Sequence, residues 1–160
     1  MYMVDKLNVP QRYIPKILSK KDKEKQKKSL RKSRKLYKKG KYFQRPKVKT
    51  FKSRKSNHLR RAEELYKINK ISPSAELARK TKCKRSALEK IVSKGRGAYY
   101  SSGSRPNQTA ESWGLARLAS AISGGNAAIS DFHALRDGCK PNSKALKLAR
   151  KTCKKKNRNC

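Results

Sequence analysis

The sequence is poor in acidic residues and in long apolar runs, and each shortage narrows the class of protein. Only 10 residues of 160 are Asp or Glu, against 46 Lys or Arg, so the formal net charge is +36. A chain so charged, with 34% hydrophobic residues, repels itself and has little to bury, which argues against a globular enzyme. Without a run of about 18 apolar residues, we predict no transmembrane helix. The N-terminus also lacks the pattern of a signal peptide.

Cysteine and histidine are scarce, and their spacing predicts neither a metal site nor any other cofactor. The four cysteines are far apart, at Cys83, Cys139, Cys153 and Cys160. With no export signal, we expect them to be reduced thiols in a reducing compartment. A zinc site usually contains a CxxC or CxxH pair, which this chain lacks. Cys139, Cys153, Cys160 and His133 could form a zinc site only if the fold brought these distant residues together.

Side chains for acid–base or nucleophilic catalysis are not grouped along the chain. His58 and His133 are the only histidines, and we expect His133 to be a half-buried packing residue. Asp131 and Asp137 are six residues apart and fall on different sides of a predicted helix. Because catalysis needs positioned groups with tuned pKa values, we predict no enzymatic activity.

What the sequence does contain is positive charge, and its distribution locates the folded part. Residues 1–60 carry a net charge of +20, 61–94 carry +6, 95–139 only +1, and 140–160 carry +9. The near-neutral stretch is the one able to form an ordinary core. From residue 57 onward apolar residues recur at helical intervals, so the fold class predicted is mainly α. It comprises a small helical domain over residues 57–153, an extended basic arm over 1–56, and a basic tail over 154–160.

The N-terminal arm falls into three parts. Residues 1–19 contain two prolines among apolar side chains, which is typical of an extended anchor or of a disordered terminus. Residues 20–39 hold 12 Lys or Arg and predict a helix that frays until a polyanion neutralises it, with Gly40 as its stop. Residues 41–56 read as extended chain whose aromatic residues stack on bases, enter protein pockets or pack on the domain behind them. The predicted anion-binding residues are Lys27, Lys28, Arg31, Lys32, Arg34 and Lys35.

Two short helices, over 74–81 and 84–93, have the rhythm of a helix-turn-helix. Cys83 is the expected buried turn residue, although Lys82 occupies the place of the usual glycine. In such a unit Lys84 and Arg85 would lie at the start of a helix that enters the major groove. Plain helix packing is the alternative reading.

The central segment 94–109 predicts a Gly/Ser loop that begins where Gly95 and Gly97 end the preceding helix. Its cations Lys94, Arg96 and Arg105 either bind a phosphate or an acidic side chain, or simply flank a structural turn. The helix predicted over 110–123 is apolar nearly all round, which favours the centre of the core. The residues that we expect to form this centre are Trp113, Ala116, Leu118 and Ile122.

The same block carries a resemblance. Residues 94–109, KGRGAYYSSGSRPNQT, followed by Ser112-Trp113-Gly114 and by ARLAS at 116–120, resemble a family of small basic proteins of large double-stranded DNA viruses of algae and protists. Related segments occur in tailed phages. The likeness extends upstream through residues 86–92, with a departure at Lys82-Cys83-Lys84. The resemblance implies a viral setting: the virion, preceded by a host cytoplasmic virus factory.

Three functions fit these observations. The first is a minor capsid protein of an icosahedral virion, because a shell has fixed neighbours that can clamp an extended arm. Its partners would be acidic surfaces of other capsid proteins, with double-stranded DNA or an anionic inner membrane as further contacts. The second is a non-specific DNA-binding or DNA-condensing protein packaged in the virion. The third is a helix-turn-helix regulator of viral genes.

Overall fold

The computed structural model describes residues 7–160, and it confirms the mainly α fold class. A short 3-10 helix, Gln11–Tyr13, precedes eight α-helices within this range: α1 Lys20–Lys38, α2 Asn57–Tyr66, α3 Ala75–Thr81, α4 Arg85–Ser101, α5 Ala110–Ile122, α6 Ala127–Ser130, α7 Phe132–Gly138 and α8 Lys144–Lys155. The described part of the chain contains no named strand, only an isolated bridge between Cys83 and Cys139. The first six residues of the predicted anchor lie outside the described residues.

The chain divides into two compact units, and the division differs from the one the charge distribution predicted. Within the described residues, unit 1 comprises 7–54 and 97–110, and unit 2 comprises 55–96 and 111–160. The predicted arm is thus joined in unit 1 by the segment that follows Arg96. Helix α4 begins in unit 2, and its last five residues belong to unit 1.

Helix α1 begins and ends with local signals that are visible in the sequence. The Ser19 hydroxyl caps its start by accepting a hydrogen bond from the Asp22 N–H at 3.1 Å. At its end, the N–H groups of Gly40 and Lys41 donate to the carbonyls of Tyr37 and Leu36, both at 2.9 Å. Gly40 has φ +75°, so this is a Schellman ending, as expected of a glycine stop.

Unit 1 is held together largely by polar contacts. Arg45 is 7% exposed, and its guanidinium donates to Ser33 Oγ, to the Tyr99 carbonyl and to Ser104 Oγ at 2.6–3.0 Å. The Asn107 side chain bonds the backbone of Val48 at 2.8 and 3.1 Å. An isolated arm was expected because its apolar residues are few. In the structure, hydrogen bonds between residues more than fifty positions apart hold this segment in unit 1 in place of apolar contacts.

Unit 2 contains the main apolar core. Leu118 and Ile122 are fully buried, as predicted, together with Leu88, Ile91 and Leu135. The expectation for Trp113 and Ala116 was wrong, because both are only partly buried. They lie on the part of α5 that faces away from the centre of the packing, while Leu118 and Ile122 face into it.

Helix α4 does not end at Gly95 and Gly97 but runs on to Ser101, so the first half of the predicted loop is helical. The reason is packing rather than conformational freedom. A Cβ on Gly95 would lie 2.6 Å from the Gly114 Cα, and a Cβ on Gly114 would lie 2.7 Å from the Val92 carbonyl oxygen. Gly95 and Gly114 therefore allow α4 and α5 to approach closely within unit 2.

The expectation of four reduced thiols is overturned, since the structure pairs all four in the disulfides Cys83–Cys139 and Cys153–Cys160. Backbone hydrogen bonds bring the first pair together: the Lys84 N–H donates to the Gly138 carbonyl at 2.7 Å, and the Lys140 N–H to the Lys82 carbonyl at 2.9 Å. The second disulfide ties the tail to α8. The spacing along the chain could not reveal these pairings.

Candidate nucleic-acid interface

Helix α1 has a buried face of small polar residues and an opposite face of cations. Asp22, Gln26, Ser29, Leu30 and Ser33 are buried, at the three- and four-residue intervals of one helix side. We call the opposite side the α1 basic face. Its exposed cations are Lys21, Lys28, Arg31, Lys32, Lys35 and Lys38, and the exposed Glu24 lies among them. At about 1.5 Å per residue this face extends for about 25 Å. Fixed on one rigid element, these cations form a line of positive charge.

The six α1 residues predicted to bind anions separate into two groups. Lys28, Arg31, Lys32 and Lys35 are exposed on the basic face, with Lys32 placed over the Phe43 ring at 4.6 Å. Lys27 pairs with Glu24 at 3.7 Å. Arg34 donates to the carbonyls of Ser102 and Asn8 at 2.8–3.0 Å, so its guanidinium is engaged within unit 1.

Arg34 is one of three residues that satisfy the end of helix α4. The last carbonyls of a helix have no partner within the helix itself. The Tyr99 carbonyl accepts from Arg45, the Tyr100 carbonyl from Ser33 and the Ser102 carbonyl from Arg34. These three donors therefore have a structural role in unit 1, and sequence reasoning assigned Arg34 to anion binding because its distant partner was not visible.

The cations of the central segment are not grouped around a loop. Lys94 and Arg96 lie on helix α4, where Lys94 is 3.9 Å from Asp131 and Arg96 is 3.4 Å from Glu111. Arg105 follows the helix in unit 1 and is exposed. The positive φ angles of Gly103 and Asn107, +128° and +62°, shape a structural turn there. Of the two interpretations of this segment, anion binding and a structural turn, the structural turn fits residues 102–109.

The α3–turn–α4 segment retains the local features of the predicted helix-turn-helix. Lys82 adopts φ +56° in the place of the usual glycine, and Cys83 is 4% exposed in the turn. Lys84 and Arg85 are exposed at the start of α4. Arg85 donates to the Pro73 carbonyl at 3.0 Å and pairs with Glu89 at 3.3 Å, so Lys84 is the more available of the two cations.

A second cationic face, on helix α8 of unit 2, was not among the predicted site residues. Its buried side is formed by Ala145, Leu146, Ala149 and Cys153. We call its opposite side the α8 basic face, made of exposed Lys144, Lys147, Arg150, Lys151, Lys154 and Lys155. The 3.6-residue period of small apolar residues among lysines was the signal that could have found it.

The α8 basic face borders a shallow depression in unit 2. This depression has a volume of about 310 Å³ and is lined by Lys80, Lys82, Asn142, Lys144 and Lys147. Lys80 already bonds the Lys67 carbonyl at 2.6 Å and lies 3.3 Å from Glu76. The lining is cationic without a carboxylate, which suits an anionic group at the surface of unit 2.

The scarce carboxylates are mostly engaged with nearby cations or hydroxyls. Asp131 is fully buried and accepts a bidentate pair of hydrogen bonds from Arg117 at 2.7 and 2.8 Å. This contact raises the pKa of Arg117. His133 is exposed, which corrects the expectation that it would be half-buried. Within residues 7–160 no three His, Cys, Asp or Glu side chains are grouped to hold a metal ion. Nor does any helix in that range have the length and apolarity to cross a bilayer.

Fold and surface together define a small, strongly basic, helical protein whose two units each present a cationic helix face. The chain belongs to a family of proteins of unknown function, DUF5824, which matches residues 10–152. The match includes all of α1 and α8 as far as Thr152, so the family region contains the α1 basic face and four of the six cations of the α8 basic face. No curated protein and no solved structure matches the chain.

Proposed function

We propose that this protein is a non-enzymatic nucleic-acid-binding protein that holds the phosphate backbone without reading base sequence. The α1 basic face is the observation that carries this proposal, because it places six exposed cations along one side of a rigid helix. The α8 basic face repeats the arrangement in unit 2. A protein that neutralises several phosphates releases their counterions, so its binding depends steeply on salt.

Fluorescence anisotropy on the full chain with a labelled random-sequence duplex of 25 base pairs tests the proposal. For six phosphate contacts we expect log K to fall against log[KCl] with a slope of about −5. The variant K21Q/K28Q/K35Q/K38Q removes four of the cations and should make the slope less negative by about 3.6. The matched control K21R/K28R/K35R/K38R keeps the charges and should keep the slope. Equal binding at low and high salt would refute the proposal.

Sequence preference separates this function from a helix-turn-helix regulator. A regulator is expected to favour its site over other duplexes by about a thousandfold or more. The proposed backbone binder should compete equally for unrelated duplexes and should enrich no motif from a random library. An enriched motif that is lost in K84Q/R85Q would favour the regulator instead.

The minor capsid role stays a prediction and forms the second candidate. That prediction assumed an extended arm that has no contacts within its own chain. In the structure, however, residues 7–54 contact residues 97–110 within unit 1. The observation in its favour is Ile17, which is 75% exposed in the segment predicted to be an apolar anchor. Mass spectrometry of separated virion fractions decides between the two. A shell protein should stay with the shell at fixed stoichiometry, and a genome binder with the DNA.

A further inference from the structure

Unit 1 has an exposed aromatic residue, Tyr42, that belongs to neither the α1 basic face nor the α8 basic face. Tyr42 is 73% exposed, and the only other large hydrophobic residue with comparable exposure in residues 7–160 is Ile17. Exposing an aromatic ring forgoes the stabilisation that its burial would supply. The ring stands in the segment that follows α1, between exposed Lys41 and partly buried Phe43.

The position of Tyr42 is fixed from two sides. On the chain side, the Schellman ending of α1 at Gly40 and Lys41 immediately precedes it. On the other side, its ring centroid lies 5.0 Å from that of Tyr100 and 6.2 Å from that of Tyr37. Tyr37 and Tyr100 are themselves 6.4 Å apart with nearly parallel planes, at 9°. We call these three rings the tyrosine cluster.

The tyrosine cluster rests on a buried support. Tyr99 is fully buried, meets Tyr100 edge-on at 5.1 Å and carries the Arg45 guanidinium 3.8 Å from its ring centroid. Tyr100 is further held through its carbonyl, which accepts from Ser33 Oγ at 3.0 Å. A platform built in this way presents a ring without having to order it first, which lowers the entropic cost of binding.

Cations surround this platform along the chain. Lys38, Lys39 and Lys41 are exposed immediately before Tyr42, and Lys32 lies over the Phe43 ring at 4.6 Å. An apolar protein surface would be a poor partner for a ring flanked by lysines, because those charges would be desolvated. Nucleic acid satisfies both features, since its phosphates meet the lysines and its bases offer flat faces for stacking.

We infer that the tyrosine cluster is a stacking platform for unpaired bases, so that the protein prefers single-stranded nucleic acid at this site. The inference rests on the proposed function, because the α1 basic face supplies the backbone contacts that bring a strand to Tyr42. Stacking on an aromatic face does not depend on base identity, which agrees with binding that reads no sequence. A duplex keeps its bases stacked on each other and cannot use the ring.

Anisotropy with labelled dT20, rU20 and a 20-base-pair duplex tests the inference on the full chain. We expect Y42A to weaken dT20 binding by about 5- to 150-fold, the range for loss of one stacked base, and to leave duplex binding within about twofold. Y42F keeps the ring and should bind like the wild type. I17A removes an equally exposed apolar side chain and is the matched control. If Y42A weakens binding of both dT20 and rU20, the site accepts single-stranded DNA and RNA alike. If it weakens binding of only one of them, the site is specific for single strands with that sugar.

An oligonucleotide in which abasic sites replace the central bases of dT20 supplies the second measurement. It keeps every phosphate, so wild-type affinity for it should fall to the level that Y42A shows with dT20, and Y42A should lose nothing further. Equal weakening of dT20 and duplex by Y42A would overturn the stacking inference while leaving the backbone-binding proposal intact. Salt-independent binding by the wild type would instead overturn the proposed function itself. Circular dichroism of Y42A confirms that the comparison is made on folded protein.

Discussion

The guanidinium of Arg45 is a positive charge buried in unit 1, where three oxygen acceptors and the ring of Tyr99 surround it. Burial lowers the pKa of its guanidinium, and the hydrogen bonds to Ser33, Tyr99 and Ser104 offset the cost of removing the charge from water. Its planar fork reaches three acceptors at once, which a lysine ammonium does not reproduce. One cation thus joins α1, the following segment and the end of α4.

Asp22 is the corresponding anion, and its contacts make unit 1 sensitive to acid. The Thr50 hydroxyl and N–H donate to Asp22 Oδ2 at 2.5 and 2.8 Å. These hydrogen bonds, with the charge of Lys25, hold the pKa of Asp22 below its ordinary value of 3.8.

A carboxyl group whose pKa is lower in the folded than in the unfolded protein contributes stability above the unfolded pKa and loses it as the pH falls through the folded pKa. We therefore expect the free energy of unfolding to decline below about pH 4, and to decline less steeply in D22N, which has no carboxylate to protonate. Urea denaturation from pH 2.5 to 6 measures both proteins. Parallel pH profiles would show that Thr50 does not stabilise the ionised form.

At the scale of the element, two glycines in helix α4 have opposite roles. Gly95 lies against α5 in unit 2, where an added Cβ would be 2.6 Å from the Gly114 Cα. Gly97, two residues later in the same helix, has only the Tyr37 hydroxyl near its added Cβ, at an ordinary 3.7 Å. The first glycine is required by close packing, and the second only weakens the helix.

Alanine substitution separates these roles. We expect G95A to lower the free energy of unfolding by about 1–3 kcal/mol, because the helices must move apart. G97A should raise it by about 0.5–1 kcal/mol, because alanine loses less backbone entropy than glycine on entering a helix. Thermal and urea denaturation of the two variants against the wild type give both values. Stabilisation by both substitutions would contradict the close approach of α4 and α5.

At the scale of the whole molecule, the charge of +36 is divided between units that fold by different means. Unit 1 has 21 Lys and Arg against 2 acidic residues in its described part, and polar networks supply much of its interior. Unit 2 buries an apolar core and contains both disulfides. Phosphates bound to the α1 or α8 basic face should reduce the repulsion among its positive charges. If the protein binds nucleic acid as proposed, that binding is therefore expected to raise the free energy of unfolding.

The two disulfides should differ in their contribution to stability. Cys83 and Cys139 are separated by 56 positions, and Cys153 and Cys160 by 7. On the chain-entropy account, removing the first should cost about 4 kcal/mol and removing the second about 2 kcal/mol. Urea denaturation of C83A/C139A and C153A/C160A, with the oxidised wild type as reference, measures both. Four titratable thiols in oxidised, denatured wild type would contradict the pairing.

The properties that the sequence determined by itself are those that depend on neighbouring residues. Its apolar spacing predicted most of the helices of unit 2, and the Ser74 and Ser143 hydroxyls cap α3 and α8. Its charge did not delimit the core, because the core draws on residues 62–153 and not on the near-neutral stretch 95–139 alone. Of the basic residues predicted to bind anions, those on the exposed side of α1 form a continuous face because helical periodicity alone places them there.

Only the tertiary structure decided what distant residues do to one another. The pairing of Cys83 with Cys139, the helical course of α4 through Gly95, and the packing of residues 7–54 with 97–110 all depend on partners far along the chain. The sequence predicted Arg34 to bind anions and assigned no role to Arg45, whereas both donate hydrogen bonds to carbonyls at the end of α4. A local pattern specifies an element, but the element's partners are set by which surfaces can be buried together without leaving a charge or a carbonyl unsatisfied.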